Sequence, residues 1–402
     1  MLPRLLYFSE VPVEPTMFQG AGLVYRLLDG YPPDRLLVKE TKPARAAMER
    51  RLPAVEYREF AMRGNRWRYT RCSRTAGSWL LVNAWRHARK LSRSLDAFVP
   101  DAVLTVAFGY SFLVAAQFAE AERLPLHLIL HDDWPPSMRV FRWLRTRQDC
   151  SFAKAYRYAT SRLCVSPFME EEYRRMYGCS GEVLYPSWGK DDVSCSSRPR
   201  ARHEHRQPLV GAFAGNIFRP GYTQLIASLA DRLEALGGRL LLFGPYTHEQ
   251  LASSGLDRNS VLPQGVVSQN EMIARVRDEV DFVFVPMSFE SDSMTRNMRI
   301  SFPSKLTDYT RAGLPLVIWG PEYCSAVQWA QQYAPVAEVV TSQAVQDIDA
   351  ALHRLEHAQH REQLGRAARE IGERLFSHRA AMDVFHGALL REEATSGSLK
   401  AR

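Results

Sequence analysis

Cysteine is sparse in this chain and never closely spaced. Cys72, Cys150, Cys164, Cys179, Cys195 and Cys324 are scattered through 402 residues with no C-x-x-C pair. That spacing argues against a structural zinc site and fits a reducing compartment. A leader is not expected either, because the apolar run Leu5–Phe8 is too short for one. The single long uncharged run, Ala102–Ala119, contains Thr105, Gly109, Tyr110, Ser111 and Gln117. It breaks into a strand (Ala102–Ala107), a turn (Phe108–Ser111) and a helix (Phe112–Glu122), not a membrane span.

Acidic residues are missing altogether from Arg63–Arg93. That stretch holds nine Arg or Lys, interleaved with Trp67, Tyr69, Trp79 and Trp85. With a net charge of +8, it calls for an anionic partner. Two readings stay open. The stretch lies on an anionic membrane surface or grips nucleic acid, or it is a solvated face whose aromatics pack inward. His203 and His205 resemble a metal pair only in spacing, and solvated linker residues are the simpler reading. No repeat is visible beyond two similar α/β halves.

What is present is a two-domain length of alternating apolar runs and helical patterns. The most informative stretch is Ser301–Gly320, SFPSKLTDYTRAGLPLVIWG. Pro303 suits the first turn of a helix, with Ser304 or Ser301 as its cap. Leu306, Tyr309 and Thr310 share one face. Gly313 ends the helix, and Leu316–Trp319 is an apolar strand. A loop feeding a helix N-terminus presents N–H groups and a positive dipole end. Lys305 adds a full charge, so this is an anion site. Asp308, one turn in, is placed to accept from a pair of hydroxyls. Together they suit a nucleoside diphosphate.

Pro303-Ser304-Lys305, Asp308-Tyr309, Ala312-Gly313 and Pro315-Leu316 resemble the donor-binding helix of GT-B glycosyltransferases. The likeness is to the large retaining family that contains sucrose and mannosyl transferases, with Asp308 replacing the family's ribose-binding Glu. Other segments agree in order. His131-Asp132-Asp133-Trp134 resembles the family's H-D-x-W, and Val183–Ser187 its last strand before the linker. Gly215–Gly221 resembles its phosphate loop, and Gly244-Pro245 the turn beneath the base. Pro286 and Glu290 keep the P-x-x-x-E spacing. Seventeen residues then separate Glu290 from Asp308, more than in the family pattern. The extra stretch SDSMTRNMRIS is expected to be a disordered flap or a lid.

The resemblance implies an α/β chain of GT-B form, two Rossmann-like domains facing each other across a cleft. It places the acceptor side at 1–188 with a returning helix at 380–393, a linker at 189–208, the donor domain at 209–379 and a flexible tail at 394–402. The donor is a UDP- or GDP-linked sugar. Lys305, Arg219 and helix amides hold the diphosphate, with Gly215, Asn216, Gly244, Pro245, Ser304 and Leu306 around the nucleotide and Asp308 on the ribose. Arg296 and Arg299 are candidate phosphate clamps. Glu290 and His131 contact the sugar, Asp132 orients His131, and the loop of Gly20 and Gly22 touches sugar or acceptor. Transfer proceeds with retention, as in polysaccharide biosynthesis, without cofactor or metal. The acceptor is a glycan, a lipid-linked molecule or a small molecule. The expected location is cytoplasmic, with peripheral contact at the inner membrane face through Arg63–Arg93, and nucleic acid is not an expected partner. Two rival readings remain: a nucleotide-sugar epimerase of GT-B shape, and a non-enzymatic basic binding protein.

Overall fold

The computed structural model describes residues 1–15, 20–41, 45–190, 208–215, 217, 220–290 and 295–391. The chain divides into two compact units, Met1–Tyr185 with Arg379–Arg402, and Pro186–His378. Each is built on one parallel sheet.

Unit 1 contains β1 (Leu5–Ser9), β2 (Leu36–Thr41), β3 (Glu56–Phe60), β4 (Ala102–Val106), β5 (Leu126–Leu130), β6 (Ser161–Cys164) and β7 (Glu182–Val183). Their spatial order is β3-β2-β1-β4-β5-β6-β7. Strands β1, β4 and β5 are buried along their whole length, as continuous apolar runs covered on both faces must be. The uncharged Ala102–Ala119 run is indeed interrupted: β4 stops at Val106 and a helix begins at Ser111. Leu5, Tyr7, Val24, Leu27, Leu36 and Val38 form part of the core, and Phe385 and Ala388 of the His378–Leu389 helix complete it.

Unit 2 contains β8 (Val210–Ala214), β9 (Arg239–Phe243), β10 (Val261–Gly265), β11 (Phe282–Pro286), β12 (Leu316–Trp319) and β13 (Ala337–Val340). Their order is β10-β9-β8-β11-β12-β13. Phe213, Ile226, Leu229, Leu240, Phe282 and Phe284 pack in its core. In both sheets the first strand lies inside and the chain changes direction beside it, at β1/β4 and at β8/β11. Ligands of open α/β sheets bind outside the carboxyl ends of such strands.

Several expectations need correction. The segment Val183–Ser187 does not form a strand; only Glu182–Val183 pairs with β6. Pro186 has no N–H to offer a ladder. Gly22 is not in a loop, since the helix already begins at Ala21. Pro303 stands at the N-cap, and no side chain caps the Ser304–Ala312 helix. The expected flap is helical over Thr295–Ile300. Met298 and Ile300 are buried, and Phe302 packs on Trp329 and Phe376. These apolar anchors seat the segment in unit 2; its residues 291–294 lie outside the described ones.

The long Ala358–Phe376 helix lies against the Ser304–Ala312 helix through small residues. A Cβ on Gly365 would stand 2.3 Å from the Gly313 carbonyl oxygen, a backbone atom that cannot swing aside. Gly365→Ala is therefore expected to destabilise unit 2 by about 1–3 kcal/mol, read as a lower urea midpoint. Gly387→Ala, in a helix with no atom within 4 Å of the added carbon, serves as the control. It should raise the midpoint, by up to about 1 kcal/mol.

Candidate functional site

Gly215 directly follows β8, at the switch point of unit 2, with φ +151. A Cβ there would fall 1.5 Å from Lys305 Nζ. The bare glycine backbone is what lets the ammonium lie against this loop. Lys305 projects from the first turn of the Ser304–Ala312 helix and also sits over the Phe213 ring, 5.1 Å from its centroid, a favourable cation–π geometry. Burial pulls its pKa down to about 8, against the opposing pull of Asp308. An uncapped helix N-terminus, a desolvated cation and a glycine loop thus meet at one place.

Two tyrosines fix this loop. Tyr309 Oη accepts from the Ala214 N–H at 2.7 Å. Tyr246 Oη donates to the Gly215 carbonyl oxygen. Gly244 is needed beneath Tyr246, because a Cβ would approach the ring to 2.5 Å; Pro245 beside it is exposed. Asp308 is only 5% exposed and accepts from Gln269 Nε2, at the start of the Gln269–Glu279 helix. Ser304 is half-buried. Leu306 is buried, with its N–H bonded to the Pro303 carbonyl oxygen.

The other strand of the switch point, β11, leads to Ser288 and Glu290. A Cβ on Gly221 would stand 2.0 Å from Ser288 Oγ and 3.2 Å from the Glu290 carboxyl carbon. The first turn of the Pro220–Ala235 helix therefore lies against the exposed Glu290, whose N–H donates to Ser288 Oγ at 3.1 Å. Arg296 is half-buried and Arg299 exposed on the Thr295–Ile300 helix. Asn216 and Arg219 lie outside the described residues. Sequence reading placed Gly221 at the end of the phosphate loop but missed Gln269, Tyr246 and Ser288; the Ser268 cap before Gln269 was the available signal.

Unit 1 treats its own switch point differently. Glu10 follows β1 and is 1% exposed. Its Oε1 accepts from the N–H groups of Tyr110 (2.6 Å) and Ser111 (3.2 Å), at the start of the Ser111–Glu122 helix, and its Oε2 pairs with Arg68. A Cβ on Gly109, at φ +64, would overlap that carboxylate. The helix N-terminus here is filled by the chain's own anion. Nearby, a Cβ on Gly20 (φ +79) would lie 2.5 Å from His131 Nε2. Burial holds the His131 pKa at about 4, so the ring is neutral at pH 7, and Nε2 has no partner among the described residues. Asp132 is exposed, whereas Asp133 is buried and accepts from Tyr173 Oη at 2.8 Å. Among the described residues no cluster of His, Cys, Asp or Glu could hold a metal ion.

The acid-free stretch folds as a short turn (Asn65–Tyr69) and two helices, Ser73–Val82 and Ala84–Ser92. Trp67, Tyr69 and Trp85 are exposed. Arg66 lies over Trp67, and Arg86 and Arg89 over Trp85. Trp79 turns toward His87. The surface is thus cationic and aromatic together, while one of its four large aromatics points inward.

Residues 41–186 match the family model of Glycosyltransferase Family 4. Among solved structures, the chain is similar to Anabaena HepE, crystallised with UDP, at a TM-score of 0.66 and 17% identity over 96% of this chain and 99% of that one. It is also similar to the trehalose 6-phosphate synthase of Burkholderia multivorans (TM-score 0.64, 15% identity, 96% and 97% covered). A third is the sucrose-phosphate synthase of Thermosynechococcus elongatus (TM-score 0.63, 14% identity, 95% and 97% covered). No curated protein sequence matches. The fold is therefore the GT-B fold of these glycosyltransferases, and the likeness to Glycosyltransferase Family 4 lies in residues 41–186.

The depressed Lys305 pKa has a stability consequence. Its pKa is about 8 in the folded chain against an ordinary 10.5, so between these values the unfolded state binds more protons. Stability should then rise as pH increases from about 8 toward 10.5. Lys305→Met removes the desolvated charge. Relative to wild type it should be more stable at pH 7, by at most about 3 kcal/mol, with the gap closing as pH rises. Urea titrations of both proteins across this range provide the check.

Proposed function

We propose that the protein is a glycosyltransferase that moves a sugar from a nucleoside diphosphate donor to an acceptor. The carrying observation is the uncapped Ser304–Ala312 helix with the Lys305 ammonium lodged against Gly215. This arrangement suits the two charges of a pyrophosphate, and it strengthens as negative charge grows on the leaving diphosphate. Lys305, Arg219 and the helix amides carry that charge in this reading, and no metal or cofactor is called on. Asp308 holds the ribose hydroxyls, with Gln269 positioning its carboxylate. Glu290 is the sugar-contacting candidate of unit 2. His131, neutral and followed by Asp132, is the candidate of unit 1, where Gly20 leaves room for its ring. The family likeness supports transfer with retention.

UDP is favoured over GDP. The similar HepE was crystallised with UDP, with UDP and glucose, and with UDP-glucose, and a similar Burkholderia vietnamiensis synthase is named UDP-forming. The acceptor is a glycan, a lipid-linked molecule or a small molecule, taken up by residues 1–188 with the His378–Leu389 helix in place of the expected 380–393, while 209–379 takes the donor. Among the described residues no helix is long and apolar enough to cross a membrane. The reading is a cytoplasmic protein that touches an anionic membrane at its inner face through Arg63–Arg93, where exposed tryptophans and arginines suit the headgroup layer.

The test is a thermal-shift screen against UDP, GDP, ADP, TDP and CMP, on wild type and Lys305→Ala. A ligand that binds only the folded state stabilises by mass action, about 2.7 kcal/mol at a hundredfold excess over Kd. UDP should raise the melting point of wild type and clearly less that of the variant. If no diphosphate shifts wild type, the donor-site assignment fails. Product analysis with the donor sugar and no acceptor separates transfer from epimerisation.

A further inference from the structure

Unit 1 holds a cavity of about 370 Å³ whose walls come from two separate acid-free stretches. Arg68 and Ser73 stand on one wall, Trp134, Ser137 and Arg139 on the other, with Tyr110 between them; no carboxylate lines it. The second stretch, residues 134–148, contains four arginines and no Asp or Glu. The fold joins the two deliberately. Phe141 N–H donates to Ser78 Oγ at 3.0 Å, and Tyr110 Oη donates to the Arg139 carbonyl oxygen at 3.1 Å. Gly77 leaves room for that same carbonyl, which a Cβ would meet at 2.1 Å.

The donors facing this space are only partly used. Arg68 has a side chain 9% exposed and lies over the Tyr110 ring, 5.1 Å from its centroid. Both of its hydrogen bonds to described residues, to Glu10 and Asn65, leave from Nη1. Its Nε and Nη2 donate to none. Glu10 therefore fixes the guanidinium in place without consuming its second edge. Arg139 is exposed and pairs with no described residue, and the Ser73 and Ser137 hydroxyls have no described partner. Two guanidinium groups and two hydroxyls around a space open on an aromatic wall make a phosphate site, since guanidinium edges match phosphate oxygens in pairs. Its volume, near the lower end of small-ligand pockets at roughly 300–1,000 Å³, admits a sugar-sized body.

We infer that this cavity binds a phosphate-bearing molecule of about monosaccharide size and, resting on the glycosyl-transfer reading, that the acceptor carries this phosphate. The phosphate belongs either to a free sugar phosphate or to a lipid headgroup, and Arg68 and Arg139 hold it in both cases.

The test measures binding directly, on the full chain, without any transfer reaction. Calorimetry and tryptophan fluorescence compare glucose 6-phosphate with glucose. Vesicle sedimentation compares phosphatidylcholine with and without phosphatidic acid. Glucose 6-phosphate should bind in clear preference to glucose if the source is free. Phosphatidic acid should recruit the chain if the source is a headgroup. Arg139→Ala, a change at an exposed side chain that preserves the fold, should weaken the preferred probe at least about tenfold, the scale of one charge-assisted contact. Arg68→Ala strips Glu10 of its buried partner, so Ser73→Ala is the second variant, with a smaller loss expected. If neither probe is preferred over its neutral control, or if Arg139→Ala leaves the preference intact, the inference is overturned. The nucleotide screen keeps the two readings apart. A chain that binds phosphate but no nucleoside diphosphate retains the cavity and loses glycosyl transfer. A chain that responds to UDP and ignores both phosphates does the reverse.

Discussion

The positive end of a helix must meet something negative, and this chain meets that demand in two ways. In unit 1 the N-terminus of the Ser111–Glu122 helix receives Glu10, and Arg68 neutralises the carboxylate in turn. In unit 2 the Ser304–Ala312 helix has no side-chain cap, and its first turn carries a cation, Lys305, whose burial outweighs the pull of Asp308. A desolvated ammonium at a helix N-terminus is unfavourable until an anion arrives. Much of the surrounding structure serves to hold that state. Gly215 yields the space, Phe213 offers its ring face, and Tyr309 and Tyr246 tie down the loop on either side.

The two sheets share one strand order around their first strand, β3-β2-β1-β4-β5-β6 and β10-β9-β8-β11-β12-β13. The same topology therefore supplies two crevices, and side chains alone decide their chemistry. Where the chain fills its own anion site, the crevice is left with a neutral histidine against Gly20 and a fixed arginine facing an adjoining cavity. Where it does not, an uncapped helix N-terminus and Lys305 are left to face an external anion, which in the proposed reading is the charged leaving group.

Much of this was legible in the sequence because backbone chemistry writes it there. Gly313, in the left-handed region at φ +68, ends its helix as a glycine there should. Strands β5, β9 and β12 fall at Leu126–Leu130, Arg239–Phe243 and Leu316–Trp319, where apolar runs are bounded by turn residues. The edge strands β3 and β13 were not legible, because half-solvated strands such as Glu56–Phe60 carry mixed side chains. The Thr295–Ile300 helix was hidden for a related reason. Its polar composition reads as a loop, and only tertiary burial of Met298, Ile300 and Phe302 seats it. Residues that act through distant partners were least visible. Nothing local announces that Glu10 will cap a helix one hundred residues away.

Glu10 also explains why the basic surface of unit 1 can be more than a repulsive one. Nine cations in Arg63–Arg93 without an acid would repel one another. Some of that charge is spread over aromatic faces, Arg66 on Trp67 and both Arg86 and Arg89 on Trp85. The one arginine drawn inward, Arg68, is matched by a buried carboxylate from the sheet. A buried guanidinium with no counter-charge would be costly, whereas one held by Glu10 on a single edge is both tolerated and oriented. The orientation is the functional gain. A fixed guanidinium edge loses little freedom when an anion binds it, and so selects ligands by geometry as well as by charge.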